Sequence, residues 1–208
     1  MKIVSPSKIV CIGKNYLEHA KEMGGEVPKD PLIFLKPPSA IIGPNDPIRI
    51  PAMSTHVEHE AEIAVVIGRQ LRHVSEAVAM TGIAGFTCLN DVTARDWQKR
   101  ESQWARAKGF DTFCPVGPRV ASGLEWRDLE VFGRVNGVVR QHGRAREMAF
   151  GIPFLLSHIS QVMTLEPGDL VATGTPAGVG PLVPGDVVEV EIPGVGILSN
   201  PVEASGRD

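Results

Sequence analysis

Residues 59–68 of this chain read HEAEIAVVIG. The second half is apolar, rich in β-branched residues and ends at a glycine, which predicts a buried strand. The first half places Glu60 and Glu62 two residues apart, and side chains at i and i+2 of a strand point to one face. Two carboxylates that lead into a core repel each other and lose hydration. A hard divalent cation would compensate them, whereas solvated glutamates at a fraying strand end are the simpler alternative.

The composition is that of an ordinary globular protein. Of the 208 residues, 43% are hydrophobic and 22% charged, so we expect one domain that spans residues 1–208. The net charge of −3 argues against nucleic acid as a partner. Three scattered cysteines without a C-x-x-C pair indicate reduced thiols and a cytoplasmic location. The first residues lack the apolar segment of a signal peptide, and we expect no membrane span.

Short strands and turns dominate the chain. Apolar segments predict strands at residues 8–12, 32–36, 83–89, 170–172 and 187–192. The Asn136-Gly137 pair predicts a hairpin turn, and residues 153–163 show an amphipathic helical pattern. The chain has 22 glycines and 17 prolines, as expected for many turns. The sequence thus predicts a mostly β protein of the α+β class with short peripheral helices.

Residues 15–23 predict a short helix that carries an acid–base pair. Asn15 is a candidate N-cap, and a Gly-Gly pair ends the helix. His19 and Glu22 share a helix face, so Glu22 could orient His19 as a general base. A surface ion pair on a solvated helix is the simpler alternative. The glycines and the following proline would allow residues 15–30 to move as a lid.

Several polar residues follow the predicted strand 83–89. A helix that starts at Asp91 would place Arg95 and Gln98 on the same face as the aspartate. Alternatively, Asp91 is only the N-cap of a solvated basic helix. Both arrangements predict a helix start at Asp91, and only the first predicts a binding site.

Two further candidates could bind an anion. Lys108 precedes a glycine, although by itself such a lysine is typical of a surface. Residues 173–180 read TGTPAGVG, and this loop could offer backbone N–H groups and the Thr175 hydroxyl to an anionic ligand. The loop lacks the G-K-[ST] signature of a nucleotide-binding P-loop.

Taken together, four of these motifs resemble the fumarylacetoacetate hydrolase family, in the order in which that family carries them. They are Gly13-Lys14-Asn15-Tyr16 with His19, His59-Glu60-Ala61-Glu62, Asn90-Asp91-Val92-Thr93-Ala94-Arg95-Asp96 and Thr173-Gly174-Thr175-Pro176. Each motif is weak alone, but four in order over residues 8–200 are specific. The match is closest to the short acylpyruvate hydrolase and oxaloacetate decarboxylase branch. The resemblance implies a mixed β-sandwich roll, a homodimer and a Mg²⁺ or Mn²⁺ site.

The resemblance also implies roles for single residues. It makes Glu60, Glu62 and Asp91 the metal ligands. The implied catalytic groups are His19, Glu22 and Lys108, and the implied substrate contacts are Arg95, Gln98 and Thr175. The segment between Gln98 and Lys108 is short relative to many members, which leaves the reach of Lys108 open. Glu58 is left without a role, and His59 is interpreted as structural.

These roles imply cleavage of a C–C bond in a 2-oxo acid with a divalent metal. Hydrolysis of an acylpyruvate through a metal-stabilised pyruvate enolate is the leading hypothesis. The alternatives are decarboxylation of oxaloacetate and isomerisation of 2-hydroxyhepta-2,4-diene-1,7-dioate, as in the catabolism of aromatic compounds, because both pass through a related intermediate. A non-catalytic protein that binds 2-oxo acids is the alternative from another class. The ligand set does not distinguish Mg²⁺ from Mn²⁺.

Overall fold

The computed structural model describes residues 6–205 of the chain. These residues contain fifteen strands and five α-helices. The strands are β1 Ile9–Gly13, β2 Leu32–Lys36, β3 Ile41–Ile42, β4 Ile48–Ile50, β5 Val57–His59, β6 Ala61–Ile67, β7 Ile83–Asn90, β8 Thr93–Ala94, β9 Cys114–Ala121, β10 Glu130–Val135, β11 Val138–Arg144, β12 Leu170–Ala172, β13 Gly180–Pro181, β14 Val187–Ile192 and β15 Gly196–Ala204. The helices are α1 Leu17–Glu22, α2 Glu76–Met80, α3 Arg95–Arg100, α4 Ala105–Lys108 and α5 Ile152–Val162. The predicted absence of a signal peptide rests largely on residues 1–5, which lie outside the described residues.

The strands form two large sheets and one small sheet. Their orders are β2-β1-β12-β6-β7-β9-β3, β11-β10-β14-β15-β4 and β13-β5-β8. The pairs β1/β12, β3/β9 and β4/β15 are parallel and the other pairs are antiparallel. The two large sheets face each other, since β10 packs on β6 and β14 packs on β7. The predicted mixed β-sandwich of the α+β class, mostly β with short helices, is therefore confirmed.

Strand β6, which holds most of the stretch HEAEIAVVIG, is the central strand of the larger sheet. Every residue of β6 is buried, and its side chains alternate between two apolar clusters, with Ile63 and Val65 in one and Ala64 and Val66 in the other. A strand that is buried on both faces reads as a continuous apolar run, as this one does. The predicted strand is interrupted at Glu60, which separates β5 from β6.

Several predicted elements are confirmed. Asn136 and Gly137 have φ values of 52° and 76°, as a two-residue type I′ turn requires, and they join β10 to β11. The amphipathic helix 153–163 corresponds to α5, which places Ile152, Leu155, Leu156 and Ile159 in the core. The three cysteines are buried free thiols. Among the described residues, no helix has the length and apolar character needed to cross a membrane.

Two predicted helix starts are wrong. Helix α1 begins at Leu17, because the side chain of Asn15 bonds to the backbone of Phe150 and Thr173 instead of capping the helix. No helix begins at Asp91, because residues 93–94 pair with β5 and α3 starts only at Arg95. In both cases a contact with a distant part of the chain replaces a local cap.

The buried carboxylate of Asp169, next to β12 of the larger sheet, binds the segment at Ser7 and Lys8. It accepts hydrogen bonds from Ser7 N, Lys8 N and Glu166 N, at 2.9, 3.1 and 2.8 Å, and pairs with the Lys8 ammonium. Burial raises its pKa, but Lys8 and the N–H donors outweigh burial and hold the pKa below its usual value. The stabilisation from Asp169 is therefore present above the unfolded pKa, about 3.9, and is lost as the pH falls through the folded pKa.

We expect Asp169→Asn to lower the free energy of unfolding by about 1.5–3 kcal/mol at pH 7, because charge-assisted hydrogen bonds are lost. Urea unfolding at pH 7 and at pH 3 should show that the difference from wild type shrinks in acid. The exposed Asp128 serves as a control, and Asp128→Asn should change little at either pH. An equal deficit at both pH values would contradict the role of the ionised carboxylate.

Candidate metal and substrate site

The pairing of β6 with β7 brings three carboxylates together. Ala61 lies opposite Asn90 in this antiparallel pair, so Glu60 and Asp91, one residue outside it, become neighbours. The N–H of Asp91 donates to the carbonyl of Glu60 at 2.9 Å. Carboxylate oxygens of Glu60, Glu62 and Asp91 lie within 4.8 Å of one another, and all three residues are buried. Such a cluster of oxygen ligands could hold a metal ion.

Three cations compensate two of these carboxylates. Lys108 Nζ donates to Glu60 Oε2 at 2.8 Å and to Asp91 Oδ2 at 2.6 Å. Lys36 Nζ donates to Asp91 Oδ1 at 2.6 Å, and the guanidinium of Arg95 forms an ion pair with Glu60 Oε1 at 2.6 Å. Burial raises the pKa of Glu60, but Lys108 and Arg95 outweigh it and hold that pKa well below its usual range.

Glu62 differs from its two neighbours. Its carboxylate accepts a hydrogen bond from Gly174 N at 2.8 Å, and it has no cationic partner within the described residues. Burial, followed by the charges of Asp91 and Glu60, raises the pKa of Glu62 well above its usual value. A divalent cation would supply the missing positive charge to a site with three oxygen ligands. The donor set therefore fits Mg²⁺ or Mn²⁺.

The loop that carries Gly174 requires a glycine there. Gly174 has a φ of +101°, which disfavours residues with a side chain. A Cβ at this position would also lie 2.7 Å from the Cβ of Asn15. The close approach of these two segments aims the Gly174 N–H at Glu62 and places Thr175 beside the carboxylate cluster.

Helix α1 contributes the predicted acid–base pair. His19 Nδ1 lies 3.1 Å from Glu22 Oε2, and His19 is only 5% exposed. Glu22 in turn accepts hydrogen bonds from Gly178 N at 3.1 and 3.2 Å, which ties α1 to the 173–180 loop. The two side chains are therefore held against the site in this structure, while the mobility of residues 15–30 stays a prediction.

A cavity of about 210 Å³ opens above the carboxylates. All the predicted site residues line it except Asp91 and Glu22, which contact Lys108 and His19. Phe34 and Trp104 form an apolar wall, and Lys14 and Lys99 add positive charge to the lining. The volume is smaller than the roughly 300–1,000 Å³ of pockets for drug-sized ligands, so it suits a small molecule.

The structure adds Lys36 and Glu58 to the predicted site and shows that Lys108 is buried. Lys36 is 1% exposed and Lys108 is 2% exposed, although a lone lysine is typical of a surface. Glu58, which the sequence leaves without a role, accepts a hydrogen bond from Arg95 Nε at 2.6 Å. Arg95 also donates to Gln98 at 2.8 Å. Only the end of an apolar strand marks Lys36 in the sequence, and that position carries no signal of burial.

We expect Lys36→Met to lower the free energy of unfolding of the metal-free protein by about 3–5 kcal/mol, because it leaves Asp91 with less compensation in a buried site. Mg²⁺ should restore part of this loss. Thermal unfolding with and without Mg²⁺ measures both effects. The matched control is Lys21→Met, which removes only an exposed ion pair with Glu18 and should change stability by less than about 1 kcal/mol. Equal effects of the two substitutions would contradict the compensation of Asp91 by Lys36.

Comparison with known proteins identifies the family. The sequence profile described as fumarylacetoacetate (FAA) hydrolase C-terminal matches residues 8–203. A human mitochondrial protein named oxaloacetate tautomerase is 43% identical over 212 residues, which cover 96% of this chain and 68% of that protein.

Solved structures give the same result. A 5-carboxymethyl-2-hydroxymuconate delta-isomerase from Mycobacterium smegmatis is 50% identical, with a TM-score of 0.92 over 98% of this chain and 81% of that chain. A 2-hydroxyhepta-2,4-diene-1,7-dioate isomerase from Mycobacterium marinum is 51% identical, with a TM-score of 0.91 over 98% of this chain and 77% of that chain. The profile match, the sequence identities and the shared fold agree, and the chain belongs to the fumarylacetoacetate hydrolase family.

Proposed function

We propose that this chain is a divalent-metal-dependent enzyme that moves a proton between the carbon and oxygen atoms of a small dicarboxylic 2-oxo acid. The reaction is a keto–enol tautomerisation or an isomerisation of the same kind. The main support is the buried cluster of Glu60, Glu62 and Asp91, because Glu60 and Glu62 line the same cavity as His19. The names of the relatives, a tautomerase and two isomerases, favour proton transfer over C–C cleavage.

The charge of the site favours an anionic substrate. The carboxylates of Glu58, Glu60, Glu62 and Asp91 outnumber the cations Lys36, Arg95 and Lys108 by one, so a bound divalent cation would leave one net positive charge. Lys14 and Lys99 add further positive charge to the cavity lining. A dianion would be attracted by this field, and the cavity of about 210 Å³ suits a short one.

The proposed roles of the residues follow from their positions. A bound divalent cation would supply a Lewis acid that polarises the 2-oxo group. Burial lowers the pKa of Lys108, but Asp91 and Glu60 outweigh burial and raise it, so its ammonium stays charged beside the oxygen on which negative charge develops. His19 removes the proton from the adjacent carbon, and Glu22 holds the imidazole ring. Protonation of the oxygen then completes the enol, and the reverse sequence returns the ketone.

Hydrolysis of an acylpyruvate, the leading hypothesis from the sequence, stays a second candidate. Its support is the His19–Glu22 pair, since a histidine held by a carboxylate could equally activate a water molecule. Decarboxylation of oxaloacetate would use the same charge stabilisation without a water nucleophile. A homodimer is likewise a proposal that rests on the resemblance to the family.

A substrate screen with the purified protein and Mg²⁺ tests the proposal. The ultraviolet absorbance of enol-oxaloacetate should decay faster than the spontaneous rate, and chelation of the metal should remove the acceleration. Acetylpyruvate cleavage and CO₂ release from oxaloacetate are measured in parallel. Rapid acetylpyruvate cleavage without tautomerisation would replace the proposal with hydrolysis. Binding without turnover of any of these compounds would indicate a 2-oxo acid binding protein.

A further inference from the structure

A buried amide joins the carboxylate cluster to the 173–180 loop. Gln141 of β11 is 1% exposed. Its Oε1 lies 2.9 Å from Ala61 N and 2.9 Å from His59 Nδ1, and its Nε2 lies 2.7 Å from Thr175 Oγ1 and 2.7 Å from Pro176 O. All four hydrogen bonds of the amide are therefore made inside the protein.

The direction of each hydrogen bond around Gln141 is determined. The backbone N–H of Ala61 can only donate and the carbonyl of Pro176 can only accept, so the amide oxygen faces Ala61 and the amide nitrogen faces Pro176. The two ends of the amide are thus identified by the chemistry of the backbone groups they meet. The Thr175 hydroxyl, which the amide nitrogen also reaches, must accept a hydrogen bond from it.

The single proton of the Thr175 hydroxyl is also in use. Thr175 Oγ1 lies 2.9 Å from the carbonyl oxygen of Ala61, which can only accept. A hydroxyl group has one proton and two lone pairs. One lone pair is taken by Gln141 and the proton by Ala61, so one lone pair remains. Thr175 lines the cavity, and any hydrogen bond it forms there must be one that it accepts.

We propose that Gln141 is a positioning residue that makes the Thr175 hydroxyl a hydrogen-bond acceptor toward the substrate. The group that meets Thr175 then carries a proton, and in the proposed reaction, on which this identification rests, that group is the enol hydroxyl. A substrate carboxylate has no proton to donate at neutral pH. Thr175 therefore accepts a hydrogen bond from the protonated oxygen of the substrate, and the cations of the site bind its anionic groups. This acceptor role is the opposite of the donor role that the sequence predicts for the Thr175 hydroxyl.

The packing around Gln141 leaves its side chain little freedom. Gly133 of β10 lies opposite Gln141, and a Cβ at Gly133 would be 3.0 Å from Gln141 Oε1 and 3.0 Å from the Cβ of Ala61. The absence of a side chain at Gly133 lets the amide and β6 lie in contact. A rotation of the amide would break backbone hydrogen bonds on both sides, so the polarity of Thr175 is maintained during turnover.

The tautomer of His59 tests this arrangement without any assay of activity. Because Gln141 Oε1 accepts from His59 Nδ1, the proton of the neutral imidazole must lie on Nδ1. Nitrogen-15 NMR of the wild-type histidine rings should show this tautomer for His59. Gln141→Met should abolish the signature, whereas Gln161→Met, at an exposed amide of α5, should leave it unchanged. Protonation of His59 on Nε2 alone in the wild type would overturn the proposal.

A double-mutant cycle tests whether Gln141 acts through Thr175. Gln141→Met should lower kcat/KM for the enol substrate about tenfold in the wild-type background, as expected for a lost hydrogen bond, but less than about threefold when combined with Thr175→Val. Thr175→Ser, which keeps the hydroxyl, should retain the sensitivity to Gln141→Met. Equal fold-losses in all three backgrounds would reduce Gln141 to a structural residue. Failure of the wild type to turn over any substrate would contradict the proposed function, while the NMR result would still decide the polarity of the network.

Discussion

Replacing Glu62 with glutamine should abolish turnover and at the same time raise the thermal stability of the metal-free protein. Glutamine has nearly the same shape and can still accept the hydrogen bond from Gly174. It removes the one carboxylate of the cluster that has no cationic partner among the described residues, and so it removes a repulsive buried charge. Turnover should fall about a thousandfold or more, because a metal centre contributes several kcal/mol to stabilising the transition state.

The gain in stability should depend on pH with a definite sign. The pKa of Glu62 is raised in the folded state, so Glu62 ionises at a lower pH in the unfolded protein than in the folded one. Folding is therefore disfavoured as the pH rises above the unfolded pKa of glutamate, about 4.3. The advantage of Glu62→Gln should therefore grow above that pH and be small below it. Unfolding of the metal-free protein between pH 4 and 8 measures the trend.

The metal arm of this experiment uses the same variant. Mn²⁺ or Mg²⁺ should raise the unfolding midpoint of the wild type by mass action and should have little effect on Glu62→Gln. The half-exposed Glu189 of β14 provides the matched control, since Glu189→Gln should alter neither the metal response nor turnover. A Glu62→Gln protein that still binds the metal and remains active would remove Glu62 from the ligand set.

Replacing His19 with glutamine should have the second largest effect, a loss of about 10²–10⁴ in kcat, because a positioned general base contributes a factor of this size. His19 is held by Glu22 and makes no hydrogen bond to the carboxylate cluster. Stabilisation by the metal should therefore be retained in His19→Gln. This separates the proposed base from the proposed ligands.

Steady-state kinetics and thermal unfolding with and without the metal, on the same preparations, compare turnover and metal stabilisation between the wild type and His19→Gln. His158 of α5 stacks on Phe154 outside the cavity, so His158→Gln is the matched control and should keep wild-type turnover. Unchanged kcat in His19→Gln would exclude His19 as the base. Loss of the metal response in this variant would show instead that it damages the metal site.

Local rules predicted much of the fold. The β6 strand, the Asn136-Gly137 turn and helix α5 follow from periodicity and turn chemistry between near neighbours, and all three are observed. The helix starts predicted at Asn15 and Asp91 are wrong, because contacts with distant parts of the chain replace the local caps. The side chain of Asn15 is used by Phe150 and Thr173, and pairing of residues 93–94 with β5 delays the helix.

In the candidate site, too, features that depend on local spacing were predicted, and features that depend on distant contacts were not. Alternation along one strand was enough to place Glu60 and Glu62 together, and helical spacing was enough to group His19 with Glu22. The reach of Lys108, which the sequence left open, is settled by its contacts with Glu60 and Asp91. A lysine buries its charge only where carboxylates from other strands meet it, and nothing near Lys108 in the sequence shows those partners.

The sequence by itself determined the mostly β fold, the family and most residues of the candidate site, because these depend on local periodicity and on motifs in a fixed order. Only the tertiary structure decided that Lys36 belongs to the cluster, that Glu62 is the one carboxylate of the three without a cationic partner among the described residues, and that Gln141 sets the polarity of Thr175. Those features depend on strand register, and the pairing of Ala61 with Asn90 joins positions about thirty residues apart. The free energy that selects one register comes from packing of the whole sheet, which no single segment contains.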